Sequence, residues 1–368
     1  MSKRFLISAL IAVVSIQACR TKVELVETLL PPEAKIVCST DWSAILPDDE
    51  LADLSNMPSK FTFAATRTLK ASHFLGLGIY TDAIAEPDTI SLEPGKYQTL
   101  LYTSEPRNAY NFSNVEEFTN NRTVSLREIK AEAISVDKDW INRKYPGFYG
   151  PLFAGGFAAV LPAAPLYATQ ARLDLVDGEQ TLTFRPEQFA QKIRFKVHIK
   201  YGEKLEPGKV IANVTGVPFR LELLTGDVQV DTLGQTFFPM TKTGQNGVDE
   251  VTYEGEVSVL GIVPPTSEEV KTGPGMLKFC IEAGPMKRKA LQIVNLKSHL
   301  EELEPMLLER TNSEGFYHRS SRMGAFIDIE TVILLESSES GGENPIRDWE
   351  NHDDDVTPIS DGDNEEYD

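Results

Sequence analysis

The sequence predicts an all-β protein with two antiparallel β-sandwiches and a disordered acidic tail. Short runs of strand-forming residues, each bounded by Gly, Pro, Asn or Asp, recur on both sides of a long connecting stretch. Between residues 34 and 134 no long segment has helical periodicity. From Glu336 onward the chain carries 13 acidic residues against one arginine, with few apolar residues to form a core. The fold class is therefore predicted as all-β.

The chain divides into five predicted segments. Residues 1–18 form a signal peptide, 19–33 a tether, 34–170 the first sandwich with its connecting segment, 171–335 the second sandwich, and 336–368 the tail. The part that follows the signal peptide has the length of about two domains.

The first 18 residues have the pattern of an export signal. A basic start at residues 1–4 precedes an apolar run from Phe5 to Ile16, which is shorter than the ~20 residues of a membrane-spanning helix. The run leads into Cys19 and resembles the bacterial lipobox, with an aliphatic residue at −3 and Ala18 at −1, although Gln17 departs from the usual −2 residue. We expect Cys19 to carry several acyl chains, enough for stable anchoring in the outer membrane. An ordinary secretory peptide, cut nearby, is the alternative.

The predicted strands of the first sandwich are short. A Pro94-Gly95 turn leads into one of them, since proline fixes φ and glycine accepts a positive φ. The strands are predicted at Ala34 to Trp42, Phe61 to Ala65, Gly76 to Tyr80, Tyr97 to Tyr102 and Arg122 to Ile134. Residues 138–170, rich in Gly, Pro, Tyr and Ala, are predicted to be connecting structure.

In the second sandwich, the segment from Lys192 to Lys200 alternates apolar and polar residues, which predicts one core face and one wet, basic face. One short helix is predicted from Ser298 to Arg310, limited by Pro305. The other predicted strands are Thr181 to Phe184, Gly208 to Val214, Phe219 to Leu223, Val251 to Leu260, Met276 to Glu282, Lys289 to Leu296 and Ala325 to Leu335.

The two remaining cysteines and the charge narrow the function classes. Cys38 and Cys280 lie in predicted core strands, which favours two buried free thiols over one long-range disulfide. The net charge of −19 lies mainly in the tail, which carries −12. The sequence predicts no basic patch or arginine-rich run that would bind phosphates, so nucleic-acid binding is not expected.

Motifs for catalysis are absent from the sequence, and the five histidines have no metal-ligand spacing. We therefore expect no enzyme activity, no cofactor and no metal site. Thr89 and Thr232 each follow an aspartate and precede an aliphatic residue, which resembles the acceptor sequence for O-linked glycans in exported bacterial proteins. The alternative interpretation of both sites is a turn-to-strand boundary.

Several segments together resemble the fimbrillin-like lipoproteins and fimbrial anchor subunits of Gram-negative gut and oral anaerobes. They are Cys19, Thr40 to Ser43, Pro94 to Tyr102, Asn108 to Phe118, Leu182 to Pro186, Arg194 to Lys200, Asn213 to Gly216 and Leu291 to Leu296. The resemblance implies two transthyretin-like sandwiches on the cell surface, a role in a fimbria or in adhesion, and fimbrial subunits or surface receptors as partners.

The chain departs from the polymerising members of that group. In those members an early strand is cut out after an arginine, and a strand of a neighbouring subunit replaces it. No arginine lies between Arg20 and Arg67, and Arg67 is at the end of a predicted core strand. The resemblance therefore favours an anchor-like or accessory subunit.

A lipid-anchored glycan-binding module of a polysaccharide-uptake system is the rival function. Such a module needs an exposed aromatic platform, and five rings are candidates: Trp42, Trp140, Tyr145, Phe148 and Tyr149. Burial of these rings would remove the platform. A degenerate enzyme is a third possibility, which would require carboxylates that converge in a cleft.

Overall fold

The computed structural model of the chain describes residues 33–43, 57–58, 60–68, 78–85, 89–103, 109–113, 125–202, 205–245, 247–302, 309–310, 316–318 and 327–335. Cys19, most of the predicted tether and the acidic tail lie outside these ranges. Among the described residues, no helix is long and apolar enough to cross a bilayer.

The described chain is built mainly of strands, which confirms the all-β prediction. The strands are β1 Ala34–Thr40, β2 Lys60–Thr68, β3 Gly78–Ala85, β4 Thr89–Leu92, β5 Gly95–Tyr102, β6 Tyr110–Ser113, β7 Lys130–Ala133, β8 Ala158–Ala159, β9 Tyr167–Leu175, β10 Gly178–Phe184, β11 Glu187–Gln188, β12 Gln191–Tyr201, β13 Pro207–Glu222, β14 Val228–Gln245, β15 Glu250–Val259, β16 Met276–Ala283, β17 Arg288–Asn295, β18 Glu309–Arg310, β19 Phe316–His318 and β20 Ile327–Leu335. The α-helices are α1 Lys138–Lys144, α2 Tyr149–Leu152 and α3 Lys297–Glu302.

The first group of strands forms two facing sheets, in the orders β10-β1-β4 and β11-β9-β5-β2-β3. Alternate residues of β1 point inward, so Ala34, Ile36 and Cys38 are buried against the second sheet. Most pairings are antiparallel, but β1 runs parallel to β10.

The second group is one long sheet in the order β17-β16-β13-β14-β15-β12-β20. Strand β14 pairs with β13 along its first part and with β15 at Thr241–Gln245, so the sheet folds over and encloses a core between its two halves. Gly255 is needed there, because a Cβ atom at this position would lie 2.1 Å from the Met240 sulfur.

The two groups share a third core. Leu100 and Tyr102 of β5 pack with Phe219 and Leu221 of β13 and with Leu260. The end of the second group that holds Leu260 and the start of β12 therefore lies against the first group.

The two extremities of the described fold follow from the strand register. Ala34 pairs with Gly178 and Leu92, at the end of the first group away from the shared core. The opposite extremity is the end of the second group formed by Tyr201, the start of β13, the β14–β15 turn and the β16–β17 turn. The Tyr253 hydroxyl joins the two halves of the sheet there, donating to the Pro207 and Gly208 carbonyls at 2.9 and 2.6 Å. We name this extremity the distal end.

Strand pairing changes the predicted division at residue 170. Strand β9 spans that position, and β9 and β10 pair with β5 and β1. Strands β9, β10 and β11 therefore belong to the sheets of the first group, whereas β7 and β8 pair with β13 and β14 of the second group.

Several local predictions were wrong. Strand β14 was not predicted, since Gly234 and Pro239 interrupt its pattern. The segments Gly208 to Val214 and Phe219 to Leu223 form one strand with two irregularities in register. The helix predicted from Ser298 to Arg310 ends at Glu302, and Glu309–Arg310 is a strand. Of Arg122 to Ile134, Lys130–Ala133 is strand and Leu126–Glu128 a 3₁₀ turn.

The prediction for the two cysteines is confirmed. Cys38 and Cys280 are both buried, and neither takes part in a disulfide. Burial raises the pKa of the Cys280 thiol to about 12, so the thiol stays protonated at neutral pH.

Candidate functional site

The segment predicted to be connecting structure contains α1 and α2 and covers part of the outer face of the second sheet. Ile141, Tyr145, Phe148 and Leu152 pack there against strand residues, including Cys280. The side chain of Asp137 caps α1 by accepting from the Trp140 N–H at 2.7 Å. Sequence analysis missed this helix, although the capping aspartate and the basic Arg143 and Lys144 in its last turn were available signals.

Two fully buried carboxamides hold this segment on the sheet. Asn213 of β13 donates to the Leu152 carbonyl at 2.7 Å and to the Gln235 Oε1 at 2.8 Å. Gln235 of β14 donates to the Ala154 and Phe157 carbonyls, both at 2.8 Å, and its Oε1 accepts from the Ala154 N–H at 2.9 Å. The loop after α2 thus takes its hydrogen bonds from the sheet, which fixes the position of the whole segment.

Two lysines of the sheet lie over the buried ring of Phe148. The Lys209 and Lys289 ammonium groups lie 5.1 and 5.0 Å from its centroid, within the range of a cation–π interaction. The Lys289 ammonium also donates to the Gly147 carbonyl. Lys144, at the end of α1, lies 4.7 Å from the Trp140 ring centroid.

The β16–β17 turn adds further cations at the distal end. Lys287 has a φ of 52°, the left-handed region that glycine adopts most easily, and the next residue is the exposed Arg288. Met286, in the same turn, is 70% exposed. We name Lys144, Lys209, Lys287, Arg288 and Lys289 the distal cation cluster.

None of the five cluster cations forms an ion pair with a carboxylate in the described part of the chain. Lys209 and Lys289 are instead held on an aromatic face, and Glu282 is the acidic residue opposite Lys289 in the strand register. The cluster is therefore a concentration of positive charge on a chain whose net charge is −19.

Lys278 lies beneath the same segment and is half-buried. Burial lowers the pKa of its ammonium group, whose nearest described partner is the Phe153 carbonyl at 3.5 Å. Burial also raises the pKa of Tyr145 to about 12. The Tyr145 hydroxyl therefore stays protonated at neutral pH.

The five rings considered as a glycan platform do not form one surface. Trp42 packs in the core of the first group, 5.2 Å from the ring of Tyr167, and Tyr145 and Phe148 are buried under the second sheet. Trp140 and Tyr149 are half-buried. The first is covered by Lys144, and the second stacks on Phe153 at 4.8 Å.

The other predicted site residues lie apart from the cluster. Thr89 starts β4 and Thr232 lies within β14, and both are exposed. The turn-to-strand interpretation is therefore right for Thr89 and wrong for Thr232. Cys19 lies outside the described residues. Within the described ranges, no group of three or more His, Cys, Asp or Glu side chains is placed to hold a metal ion.

Comparison with known proteins gives matches in structure only. No protein-family model matches the chain, and no curated protein matches it in sequence. A proposed adhesin from Bacteroides ovatus is similar with a TM-score of 0.48 and 14% identity, over 84% of this chain and 94% of its own.

Two further solved structures show the same kind of likeness. A proposed polysaccharide-binding protein from Bacteroides thetaiotaomicron has a TM-score of 0.44 and 11% identity, over 83% of this chain and 93% of its own. The fimbrial anchor protein Mfa2 from Porphyromonas gingivalis has a TM-score of 0.41 and 10% identity, over 82% of this chain and 90% of its own. Proteins of the kind that the sequence resembles are thus among the structural neighbours.

Proposed function

We propose that this chain is an exported, lipid-anchored protein of the cell surface, and that it serves as an anchor or accessory subunit of a fimbria-like structure involved in adhesion. The proposal includes lipidation of Cys19 in the outer membrane, fimbrial subunits or surface receptors as partners, and no enzymatic role.

The position of β1 carries the proposal. Ala34, the first residue of β1, lies at the extremity of the fold opposite the distal end. A tether of 15 residues, from Cys19 to Glu33, enters the fold there. A chain held by lipid at Cys19 would therefore stand end-on, with the turns of the second sheet directed away from the membrane. This arrangement suits a protein that presents a contact surface to a partner.

The surroundings of Arg67 support an accessory role over a polymerising one. Its strand, β2, lies inside a five-stranded sheet, between β5 and β3. The Arg67 guanidinium pairs with Glu93 and donates to the Pro94 carbonyl at 2.7 Å. A protease would have to open this ladder before it could cut after Arg67, since a strand within a sheet does not fit a protease cleft.

The glycan-binding rival is less well supported. Three of its five candidate rings are buried, and the other two are covered in part by Lys144 and Phe153. A Trp140→Ala variant separates the two functions, because it removes the more exposed indole. Retention of binding to surface polysaccharides by wild type, with loss in the variant, would favour the rival.

The test of the leading proposal is protease treatment of intact cells. A non-penetrating protease is applied to cells that make the wild-type chain or the Cys19→Ala variant, and the chain is then detected by antibody. We expect the wild-type signal to be lost and the variant to be released from membranes. Protection of the wild-type chain would contradict a surface role, and membrane retention of the variant would contradict anchoring through Cys19.

We also propose O-linked glycans at Thr89 and Thr232, since both threonines are exposed. The intact mass of the chain, purified from its natural host, should exceed the mass of the lipidated chain from Cys19 onward by one glycan for each site. The variants Thr89→Ala and Thr232→Ala should each remove one increment. An unmodified mass in the wild type would contradict this proposal.

A further inference from the structure

We propose that the acidic tail of this chain, residues 336–368, binds the distal cation cluster of the same molecule. The cluster is Lys144, Lys209 and the run Lys287 to Lys289, and two of these lysines, Lys209 and Lys289, lie over the ring of Phe148.

The opposite charges of the tail and the cluster are the first reason to expect that they bind each other. The tail has a net charge of −12 and the rest of the chain only −7, so the acidity is concentrated in one segment. The cluster contributes five cations that lack a carboxylate partner among the described residues. Cations elsewhere on the same sheet are neutralised locally, such as Lys192 by Glu256 at 2.8 Å and Lys242 by Glu206 at 3.4 Å.

The topology brings the tail to the right end of the fold. The last described strand, β20, runs parallel to β12 and ends with Leu335 opposite Tyr201. Tyr201 is at the distal end, as are the start of β13 at Pro207 and the β16–β17 turn. The tail therefore leaves the sheet at the same extremity that carries the cluster.

The length of the tail is sufficient. Strands β20 and β17 are at opposite edges of a seven-stranded order, so with ~4.8 Å between strands they are at most about 30 Å apart along the sheet. A chain of 33 residues spans about 110 Å when fully extended, several times this separation. The first half of the tail alone can reach Lys209, which lies on the nearer strand β13.

The cluster is also prepared for an anionic partner. Lys209 and Lys289 are held over Phe148, and Lys289 is further fixed by the Gly147 carbonyl, so these cations are already ordered before anything binds. Met286, 70% exposed in the turn beside them, offers an apolar contact to a residue such as Trp349 of the tail. An outside anion would gain this surface only by displacing the tail.

Zero-length cross-linking tests the proposal on the full mature chain, with Cys19→Ser to keep it free of lipid. A carbodiimide joins a carboxylate to a lysine amine only when the two groups are in contact, and mass spectrometry then locates the joined residues. We expect tail carboxylates to be joined to Lys209, Lys287 or Lys289 at least fivefold more often than to the exposed Lys35, Lys60 and Lys271. These links should be lost in about 0.5 M salt, because screening weakens contacts between exposed charges.

Isotope labelling and matched variants complete the test. In a mixture of light and heavy chains, the expected links join residues of one isotope. If cross-links were found only between a light chain and a heavy chain, binding within one molecule would be contradicted. If cluster and control lysines were cross-linked to the tail equally often, the cluster would not be the binding site. Lys209→Gln, Lys287→Gln and Arg288→Gln together should reduce tail links at least threefold, whereas Lys35→Gln, Lys60→Gln and Lys271→Gln together should not. The cross-link map of the wild type decides the question if the cluster variant fails to fold.

Discussion

The outer face of β12 and β15 and the distal cation cluster have a similar number of cations, but their charges are arranged differently. On the first surface, Arg194, Lys196 and Lys200 of β12 lie opposite Glu256, Glu254 and Glu250 of β15 in the strand register. Each of these three cations faces a carboxylate on the neighbouring strand, and Lys192 of the same face pairs with Glu256 at 2.8 Å, so most of the positive charge of this face is balanced. In the cluster, the cations come from three separate parts of the chain; Lys144, Lys209 and Lys289 lie over aromatic rings, and only Lys289 has a carboxylate, Glu282, opposite it in the register of the described strands.

This difference indicates what each surface is for. A neutralised row stabilises the pairing of two strands and has no excess charge for a partner. The cluster keeps its positive charge and holds it in place by packing, which adds nothing to strand pairing. Four predictions test this contrast, and they are ordered from the largest expected effect to the smallest.

The largest effect is expected where the cluster is attached to the sheet. Gln235→Leu removes the carboxamide that binds the Ala154 N–H and the Ala154 and Phe157 carbonyls, and it leaves these groups without their partner. We expect the free energy of unfolding to fall by about 3 kcal/mol, since each buried polar group left unpaired costs about 1–3 kcal/mol. Urea denaturation measures the change.

A variant on the same strand is the control for Gln235. Gln229 is half-exposed and donates only to the Asp231 carboxylate at 2.7 Å. Gln229→Ala should change the free energy of unfolding by less than about 0.5 kcal/mol. Equal effects of the two substitutions would show that the Gln235 carboxamide does not hold the segment in place.

The second effect concerns the ring at the centre of the cluster. Phe148→Leu keeps an apolar side chain but removes the π face beneath Lys209 and Lys289. We expect the free energy of unfolding to fall by about 1–2 kcal/mol, because the substitution creates a small cavity and weakens two cation–π contacts. Phe195→Leu, in a core without lysines, should lose a comparable packing contribution but should not alter the amine reactivity of Lys209.

Amine labelling therefore separates the loss of packing at Phe148 from the loss of its cation–π contacts. In the Phe148→Leu variant, Lys209 and Lys289 should react faster with an acylating reagent than in the wild type. Unchanged labelling rates would mean that the ring supports the sheet and does not order the lysines.

The third prediction compares one charge from each surface. Glu250 lies 3.5 Å from the His198 Nδ1 and 3.7 Å from the Lys200 Nζ. Glu250→Gln should lower the free energy of unfolding by up to about 1 kcal/mol, and the loss should shrink as salt is added. Arg288→Gln should leave stability within about 0.5 kcal/mol, because Arg288 is exposed and has no carboxylate partner in the described structure. If Arg288→Gln lowered the free energy of unfolding more than Glu250→Gln, the cluster cation would contribute more to stability than the paired carboxylate, against this prediction.

The sequence predicts the neutralised face better than the cluster. The alternation from Ile193 to Lys200 indicates which residues of β12 point outward, because strand periodicity is local. It does not indicate that β15 supplies the acidic partners, so this face was expected to be basic. That correction required the strand register.

The cluster could not be predicted from the sequence because its members lie far apart in the chain. Lys144, Lys209 and Lys289 are brought together by the packing of α1 and α2 on β13 and β17, and this packing depends on Asn213 and Gln235. A carboxamide within a strand is usually read as a solvent-facing residue, and β14 was itself missed. The capping Asp137 and the basic Arg143 and Lys144 in the last turn of α1 were the local signals for this region.

The smallest effect is expected at Lys287, which has a φ of 52°. A side chain in this conformation is strained and glycine is not, whereas glycine loses more backbone freedom on folding. Lys287→Gly should therefore raise the free energy of unfolding by about 0.5 kcal/mol, and it should also reduce the links between the tail and the cluster. Gly284→Ala, at the other positive-φ position of the same turn, should lower stability and keep those links. If Lys287→Gly stabilises the fold without affecting the tail, then the lysine at this position does not contribute to the contact. If both changes occur, a lysine is present where glycine would be more stable because its charge binds the tail.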